Sequence, residues 1–366
     1  MKIKADLDAL HGALIELPDF ADLERESLEL LRFKGLVHDH VALNGHKIAG
    51  ERVLLRVPKQ SQFALAAGEN LRYQAACFAR VSATGHGPRL HALIEPDERL
   101  PMGALVVDRI DGRPPRLPAE LEALAEAMAR VHSLPMPEAQ FRAPLADHRD
   151  PVAGILEEIE GQAAYLEEAG LDAEARAEIE DELAWARSFA AEVEGRSQPI
   201  TLVLTDTHPG NFLIEPSGKA VIVDLEKALY GSPAVDLAHA SVYSSTTWDP
   251  DTWADLSVDD VATFYRRYLE IAEPELAAGL RPWLVPLRRF LFLRAITWCV
   301  KWSVLRSRSH REDKHLAANT EDWSAELSDP ALIAHVADRV SHYLSAPVLK
   351  RMRAEWLGPR PLESLI

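Results

Sequence analysis

The sequence has few cysteines and no cysteine motif. Cys77 and Cys299 are the only two among 366 residues, and neither belongs to a C-x-x-C pair or to a cluster with histidine. Disulfide bonds need paired cysteines, and zinc sites need several closely spaced cysteine or histidine ligands. We therefore expect neither a disulfide bond nor a zinc site.

Long uninterrupted apolar runs are also missing. The N-terminal twenty residues alternate charged and apolar residues and have no signal-peptide core. The most apolar later stretch, residues 283–304, is too charged for a membrane span. Its interruptions are Arg288, Arg289, Arg294 and Lys301. We expect a cytoplasmic protein that has no membrane partner.

Positive charge is in deficit. The chain has 57 acidic and 40 basic residues, for a net charge of −17. Such a charge repels nucleic acid and favours cationic partners. Much of the acidic excess lies in a predicted helical insertion at 150–196, where most acidic residues fall opposite the apolar face and are typical of a solvated surface. The charge therefore excludes nucleic-acid partners, and nothing in the sequence indicates an obligate protein partner.

One segment carries most of the functional information: L-T-D-T-H-P-G-N at residues 204–211. Apolar runs precede and follow it, and a later apolar run ends in D-L-E at 224–226, which predicts strand, loop, strand, turn and strand. Asp206, Asn211 and Asp224 can then converge at one end of a hairpin. Their oxygen atoms suit Mg²⁺ and phosphate, although aspartate and asparagine also favour ordinary turns.

This D-x-x-x-x-N and D-x-E pattern resembles the catalytic and metal loops of the aminoglycoside phosphotransferase and choline kinase family, whose members are small-molecule kinases with a protein-kinase-like fold. The likeness continues through five other segments in the same order along the chain. They are V-L-L-R-V-P at 53–58, G-H-G-P-R-L at 85–90, L-V-V-D-R-I-D-G-R-P at 105–114, L-A-E-A-M-A-R-V-H-S-L-P at 124–135 and G-S-P-A-V-D-L-A at 231–238.

The resemblance implies an α+β, bilobal fold. We expect a small N-terminal lobe at 1–107, with a helical lead-in and a five-stranded antiparallel sheet that binds the nucleotide. A larger, mainly helical C-terminal lobe at 108–366 would hold the catalytic and substrate-binding residues. Within it we expect the helical insertion at 150–196 and the substrate-side helices at 252–355.

The same resemblance assigns roles to the motif residues. Asp206 would accept or orient the proton of a substrate hydroxyl, and Asn211 and Asp224 would hold Mg²⁺ against the nucleotide phosphates. Glu226 would bind a second Mg²⁺ or the substrate. Asp236, in G-S-P-A-V-D-L-A, would support the catalytic loop from behind.

Nucleotide-binding positions follow from the resemblance to the N-terminal lobe. Arg56 stands where the family usually has lysine, and its helix partner would be Glu69 or Gln74. Gly35 lies where a nucleotide-covering loop is expected, but G-x-G-x-x-G is absent. The hinge would contribute Val107, Arg109 and Ile110. ATP and GTP both remain open as the cosubstrate.

The sequence leaves two questions open: how the acceptor is bound, and whether the substitution of the usual histidine by Leu204 affects activity. Trp248, Trp298 and Trp302 are candidates for a cation–π cage, or they belong to the core. The expected reaction is transfer of a γ-phosphate to a hydroxyl of a small molecule, a cationic one such as choline, another amino alcohol or an aminoglycoside. Leu204 replaces the histidine that usually opens the catalytic loop, so a catalytically weak, nucleotide-binding pseudokinase is the alternative.

Overall fold

The first part of the fold is an antiparallel sheet with two flanking helices. The computed structural model describes residues 5–31, 37–312 and 330–366. The elements here are α1 (Leu7–Ile15), β1 (Leu28–Leu31), β2 (His38–Ile48), β3 (Glu51–Pro58), α2 (Ala67–Ser82), β4 (Leu90–Ile94) and β5 (Ala104–Asp108). The strand order is β1-β2-β3-β5-β4, and every neighbouring pair is antiparallel. The five-stranded antiparallel sheet expected from the resemblance is confirmed.

The sheet separates two apolar cores, because successive residues of a strand point to opposite faces. On one face, Leu54 and Val107 join the larger core together with Phe78 of α2. On the other face, Leu55 and Val106 pack in a smaller core with residues of α1. Strand β5 is buried throughout and has a neighbour on each side. Strand β3, which carries Arg56, also has a neighbour on each side, β2 and β5.

The rest of the described chain is mainly helical. Its helices are α3 (Leu121–His132), α4 (Pro151–Ala163), α5 (Ala173–Glu192), α6 (Pro233–Ser241), α7 (Tyr243–Thr246), α8 (Val258–Ile271), α9 (Pro274–Glu312), α10 (Pro330–Tyr343) and α11 (Ala346–Leu357). The structure is thus a mixed α+β fold, with an antiparallel sheet followed by helices. None of the helices in the described ranges is long and apolar enough to cross a membrane.

Four short strands lie between α5 and α6. They are β6 (Thr201–Val203), β7 (Phe212–Ile214), β8 (Ala220–Ile222) and β9 (Leu229–Gly231). Strands β7 and β8 form the hairpin that the sequence predicts, whereas β6 pairs with β9. The segment at 204–211 therefore connects two separate two-stranded ladders, with β6 paired at its start and β7 paired at its end.

Helices α4 and α5 form the acidic insertion, but it is not a simple solvated layer. Glu182 of α5 is fully buried, and its carboxylate accepts hydrogen bonds from Arg289 and Arg353. Glu158 of α4 pairs with Arg294 of α9 at 2.8 Å. The expectation of a solvated face is wrong for Glu182, because arginines from α9 and α11 neutralise it in the interior.

Helix α9 has 39 residues and anchors α6, the helix that carries Asp236. The buried Arg288 donates from Nη1 to Ser241 Oγ at 2.8 Å and from Nη2 to the Ser241 carbonyl at 3.1 Å. A cation at the C-terminus of a helix is favourable, because the helix dipole is negative there. Almost three turns further along α9 lies Trp298, the first of the residues on this helix that are expected on the substrate side.

Candidate active site

The loop at 204–211, predicted to be catalytic, is held by a buried carboxylate. Asp236, in the first turn of α6, accepts hydrogen bonds from the backbone N–H groups of Leu204 and Thr205, both at 2.7 Å. His132 of α3 donates from Nε2 to the same carboxylate at 3.0 Å, and the hydroxyl of Tyr268 lies 2.9 Å from His132 Nδ1. Charge-assisted bonds of this kind are about twice as strong as neutral ones, so the loop backbone has a fixed position.

Thr205 has a left-handed backbone, with φ of 60°. A β-branched residue is strained in that region, which glycine or asparagine adopts at lower cost. The side chain compensates in part, because Thr205 Oγ1 donates to the Lys227 carbonyl at 3.0 Å. The catalytic loop is thereby tied to the segment that follows Asp224.

Asp206 is one of the partly exposed residues of this loop. Its side chain is 21% exposed, and its Oδ2 accepts a hydrogen bond from Lys227 Nζ at 2.8 Å. Burial by itself would raise the pKa of Asp206, but the ammonium of Lys227 and the imidazoles of His208 and His239 outweigh it. The pKa of Asp206 is therefore held below its ordinary value, and the carboxylate is ionised.

His239 of α6 lies beside the other oxygen of the same carboxylate. Its Nδ1 is 3.9 Å from Asp206 Oδ1 and accepts a hydrogen bond from the Thr207 N–H at 3.1 Å. This bond places the ring proton on Nε2. Burial lowers the pKa of His239 to about 3, so the ring is neutral near pH 7.

Asn211 and Asp224 are brought together by backbone contacts. Asn211 Nδ2 donates to the Asp206 carbonyl at 2.8 Å, and the Val223 N–H donates to the Asn211 carbonyl at 3.0 Å. Asp224 follows Val223 directly. Gly210 allows the tight approach, since a Cβ at this position would lie 2.9 Å from the His208 ring.

Arg56 connects β3 to the Asp224 segment. Its Nη2 contacts Asp224 Oδ1 at 2.6 Å and Glu226 Oε2 at 2.9 Å, and its Nη1 donates to the Val223 carbonyl at 3.1 Å. Burial would raise the pKa of Asp224, but the adjacent guanidinium holds it well below its usual range. Burial and the neighbouring Asp224 raise the pKa of Glu226.

The helix partner of Arg56 differs from both expectations. Glu69 is exposed in the first turn of α2. Gln74 is buried, but its Oε1 accepts a hydrogen bond from His38 Nε2 at 3.2 Å rather than contacting the guanidinium. His38 Nδ1 in turn lies 3.3 Å from Arg56 Nη2. The hydrogen-bonded link from Arg56 to Gln74 therefore passes through His38, while the guanidinium itself packs 5.3 Å from the ring of Phe78 in α2.

The expected nucleotide contacts at the hinge are not equivalent. Val107 lies inside β5, which is paired on both sides. The Arg109 N–H donates to the Arg52 carbonyl at 2.7 Å. Ile110 follows the strand and is half-buried, so its backbone is the best placed of the three to meet a ligand. Gly35 lies outside the described residues.

A charged cavity of about 420 Å³ adjoins the hinge, with Arg52, Arg89 and Asp108 among its lining residues. Asp206, Asn211 and Asp224 do not line it. The hydrogen-bonded residues around Asp206 therefore form a candidate site that is separate from this cavity.

The donor set near Asp224 suits a hard divalent cation. Asp224 is 33% exposed, and Asn211 keeps its amide oxygen available because Nδ2 makes the bond to the loop. Carboxylate and amide oxygens are ligands that Mg²⁺ accepts. Ligand atoms of His38, Asp224 and Glu226 lie within 4.8 Å of one another, but Glu226 is only 4% exposed and engaged by Arg56. Asp224 and Asn211 fit a metal better than Glu226 does.

Two of the three candidate tryptophans contact each other. The rings of Trp248 and Trp298 are 6.0 Å apart in an edge-to-face arrangement, and His335 lies 5.8 Å from Trp248. Both tryptophans are half-buried. Trp302 is buried in the main core, and its Nε1 has no hydrogen-bond partner among the described residues. The structure thus separates Trp302 from the other two.

Four residues of the site were not anticipated from the sequence: His38, His132, Lys227 and His239. Three of them have a sequence signal in retrospect. His132 lies in the L-A-E-A-M-A-R-V-H segment, Lys227 directly follows D-L-E, and His239 directly follows D-L-A. His38 precedes the central part of β2 in a run that reads more simply as a surface strand end.

Comparisons with known proteins agree with this arrangement. Residues 34–278 match the model of the family described as "Phosphotransferase enzyme family". No curated protein sequence is significantly similar to the chain.

Several solved structures share the fold. A choline kinase from Cryptosporidium parvum has a TM-score of 0.57 at 15% identity, with 98% of this chain and 99% of that chain covered. A choline/ethanolamine kinase family protein from Mesorhizobium loti has a TM-score of 0.55 at 16% identity, with 98% of each chain covered. A macrolide 2'-phosphotransferase from Brachybacterium faecium has a TM-score of 0.53 at 17% identity, with 89% of this chain and 99% of that chain covered. At these identities the likeness shows the fold alone.

Proposed function

The chain belongs to the phosphotransferase enzyme family, and from this premise we propose that it transfers the γ-phosphoryl group of ATP or GTP to a hydroxyl of a small molecule. One observation carries the proposal. Asp206, Asn211 and Asp224 lie together through direct and backbone hydrogen bonds, next to the guanidinium of Arg56. Phosphoryl transfer depends mainly on positioning and on charge placed around the phosphate oxygens, and this group of residues offers both.

Asp206 would orient the acceptor hydroxyl. Its Oδ2 is taken by Lys227, so Oδ1 is the oxygen that can accept a hydrogen bond from the acceptor. Because the pKa of Asp206 is low, its ionised carboxylate is a weak base and a firm hydrogen-bond acceptor. Its main contribution would be alignment of the attacking oxygen.

Asp224 and Asn211 would hold a magnesium ion, which supplies positive charge to the nucleotide phosphates. Arg56 adds fixed positive charge beside them, since a guanidinium stays protonated. Glu226 would hold Arg56 in place, as its burial and its 2.9 Å contact favour this role over metal binding. Ile110 would offer its backbone to the base of the nucleotide.

For the acceptor we propose a cationic small molecule, such as an amino alcohol or an aminoglycoside. The support is the contact between Trp248 and Trp298, since a positive group binds well against tryptophan faces. Structural relatives described as choline and choline/ethanolamine kinases are compatible with this choice.

A weak, nucleotide-binding pseudokinase is the second candidate, and Leu204 is the observation that favours it. The usual histidine is missing at this position, and Leu204 is fully buried. However, His132 of α3 brings an imidazole to Asp236, the residue that supports the loop. The loop therefore keeps a hydrogen-bonded support without a histidine of its own, which favours activity.

The test combines a binding assay with a transfer assay. Purified protein is titrated with Mg-ATP and Mg-GTP by calorimetry, and nucleotide consumption is then followed over a panel of amino alcohols, aminoglycosides, macrolides and neutral sugars. We expect Asp206→Asn to lower turnover at least ~10²-fold, because the attacking oxygen is no longer aligned, while nucleotide affinity changes less than ~3-fold. Thr263→Val, in the exposed first half of α8, is the control and should leave both unchanged.

Nucleotide binding without transfer to any acceptor would favour the pseudokinase. Absence of Mg-nucleotide binding by the unsubstituted protein would contradict both candidates.

A further inference from the structure

Lys227 is the most conspicuous charged residue at the site without an assigned role. Its Nζ lies 2.8 Å from Asp206 Oδ2, and its charge is also felt by Glu226 and Asp224. Burial opposes its protonation, but these three carboxylates raise the pKa of Lys227. The residue is therefore a protonated ammonium beside the carboxylate that would face the acceptor, three residues after the proposed metal ligand Asp224.

The backbone is held by hydrogen bonds at Lys227 and at the next residue. The Lys227 carbonyl accepts the hydrogen bond from Thr205 Oγ1 at 3.0 Å. The next residue, Ala228, donates its N–H to the Leu225 carbonyl at 3.0 Å and accepts a hydrogen bond from Tyr73 OH at 2.8 Å. The position of the ammonium is thus set by the fold rather than by a flexible stem alone.

The Lys227 ammonium has N–H donors that are not used within the described residues. A lysine ammonium carries three N–H donors, and Lys227 uses one of them on Asp206 among the described residues. Its side chain is 33% exposed. By contrast Arg56, the other cation of the site, is 6% exposed and already contacts two carboxylates. Lys227 is therefore the cation with free donors on the accessible side.

His208 also lies close to Asp206, two residues further along the loop, and its imidazole contributes to the low pKa of Asp206. Its ring packs 6.2 Å from that of His239, and its Nδ1 is buried without a partner among the described residues. Lys227, from the segment after Asp224, is the residue that donates a hydrogen bond from a charged group to the Asp206 carboxylate.

We propose that Lys227 is a catalytic residue that binds the phosphoryl group during its transfer and orients Asp206 at the same time. The inference rests on the proposed function. In this step the bond from phosphorus to the nucleotide oxygen breaks, and a bond from phosphorus to the acceptor oxygen forms. The acceptor proton leaves to Asp206 or to water, while Lys227 keeps its protons and gains or loses no electrons. Preorganised donors of this kind act where charge is redistributed in the transition state.

The experiment needs no known acceptor. Aluminium fluoride together with Mg-ADP mimics the phosphoryl group in transit, so the probe is the gain in Mg-ADP affinity that aluminium fluoride produces. We compare the unsubstituted protein with Lys227→Met, which removes the charge at similar length, and Lys227→Gln, which keeps a hydrogen bond to Asp206. The matched control is Lys350→Met on α11, where Lys350 pairs with the exposed Glu174 of α5.

We expect Mg-ADP affinity to stay within ~2-fold in both Lys227 variants, while the gain from aluminium fluoride falls at least ~10-fold, the size of effect seen when one preorganised donor is removed. The acid limb of the pH profile for Mg-ATP turnover should move to higher pH, since Asp206 loses the adjacent positive charge. Lys350→Met should match the unsubstituted protein in all three readouts.

The proposal is overturned if the two Lys227 variants keep the aluminium fluoride gain, or if they lose Mg-ADP affinity to the same extent as the gain. Lys227→Gln decides the matter if Lys227→Met does not fold. These outcomes are separate from a failure of the proposed function, in which the unsubstituted protein would not bind Mg-ADP at all.

Discussion

Two neighbouring groups of charged residues are built in different ways. The arginine cluster consists of Arg56, Asp224, Glu226, His38 and Gln74, and it joins the five-stranded sheet to the segment after β8. The aspartate loop, residues 204–211, is held by Asp236 and Lys227. In the first group side chains bind side chains. In the second group most bonds hold the backbone.

The difference shows how each group keeps its charge. The arginine cluster neutralises its charges internally, so it depends on every member being present. The aspartate loop fixes its backbone and leaves Asp206 and Lys227 partly exposed. Substitution of Arg56 or Glu226 should therefore affect mainly the free energy of unfolding, whereas substitution of Asp206 or Lys227 should affect mainly the rate.

The largest effect on stability is expected from Arg56→Met in the arginine cluster. It leaves Asp224 and Glu226 side by side without a counter-charge, so we expect a loss of about 3 kcal/mol in the free energy of unfolding. The pKa of Glu226 is already raised, so its contribution to stability is present at low pH and is lost as the pH rises through that pKa. The loss should consequently be smaller at pH 5 than at pH 8, as measured by chemical denaturation.

Arg52→Met is the control for that measurement. Arg52 lies on the same strand and pairs with Asp111 at 3.1 Å, but both side chains are exposed. We expect less than about 1 kcal/mol of destabilisation, because exposed ion pairs contribute little. Equal effects at the two positions would show that the arginine cluster is not the internally neutralised unit described above.

A smaller effect is expected from Thr205→Gly in the aspartate loop. Glycine relieves a backbone strain of about 1 kcal/mol, but the hydrogen bond to the Lys227 carbonyl is lost, at a similar cost. The free energy of unfolding should change by less than about 1 kcal/mol, whereas turnover of Mg-ATP should fall several-fold. Thr205→Ser keeps the hydroxyl and should retain most of the rate. A faster Thr205→Gly variant, alone or with Leu204→His, would instead indicate a degraded site.

The smallest effect concerns pH between 5 and 8. Asp206 has a depressed pKa and stays ionised in this range, and His239, with a pKa of about 3, stays neutral. Neither group should therefore produce a limb near pH 6.5 in a plot of kcat/KM. The stability that the ionised Asp206 contributes is present above its unfolded pKa and disappears only as the pH falls below about 4. A limb near pH 6.5 that His239→Gln removes would contradict this assignment.

The fold could be predicted from the sequence because its signals are local and ordered. The continuous apolar runs of β3 and β5 and the turn at 216–218 predict strands, and the motif segments predict their order. The convergence of Asp206, Asn211 and Asp224 was also predictable, because a hairpin joins the last two and a short loop joins the first two.

The remainder of the site depends on contacts that span long separations in the chain. His38 and Gln74 are 36 residues apart, and His132 and Asp236 are 104 residues apart. No periodicity reveals such pairs. Lys227 was missed for a different reason: after a strand, the direction of its side chain depends on the turn that follows, and here that turn points it at Asp206. The pairing of β6 with β9 was missed because three-residue strands carry too little pattern to choose a partner.

Because α9 is long, two separate parts of this helix make different contacts. Its early part, at Arg288, fastens the far end of the helix that suspends the catalytic loop, while Trp298 lies almost three turns later, beside Trp248. If Trp298 contacts the acceptor as we propose, substitutions around it would change which acceptor is bound and would leave the support of the 204–211 loop intact.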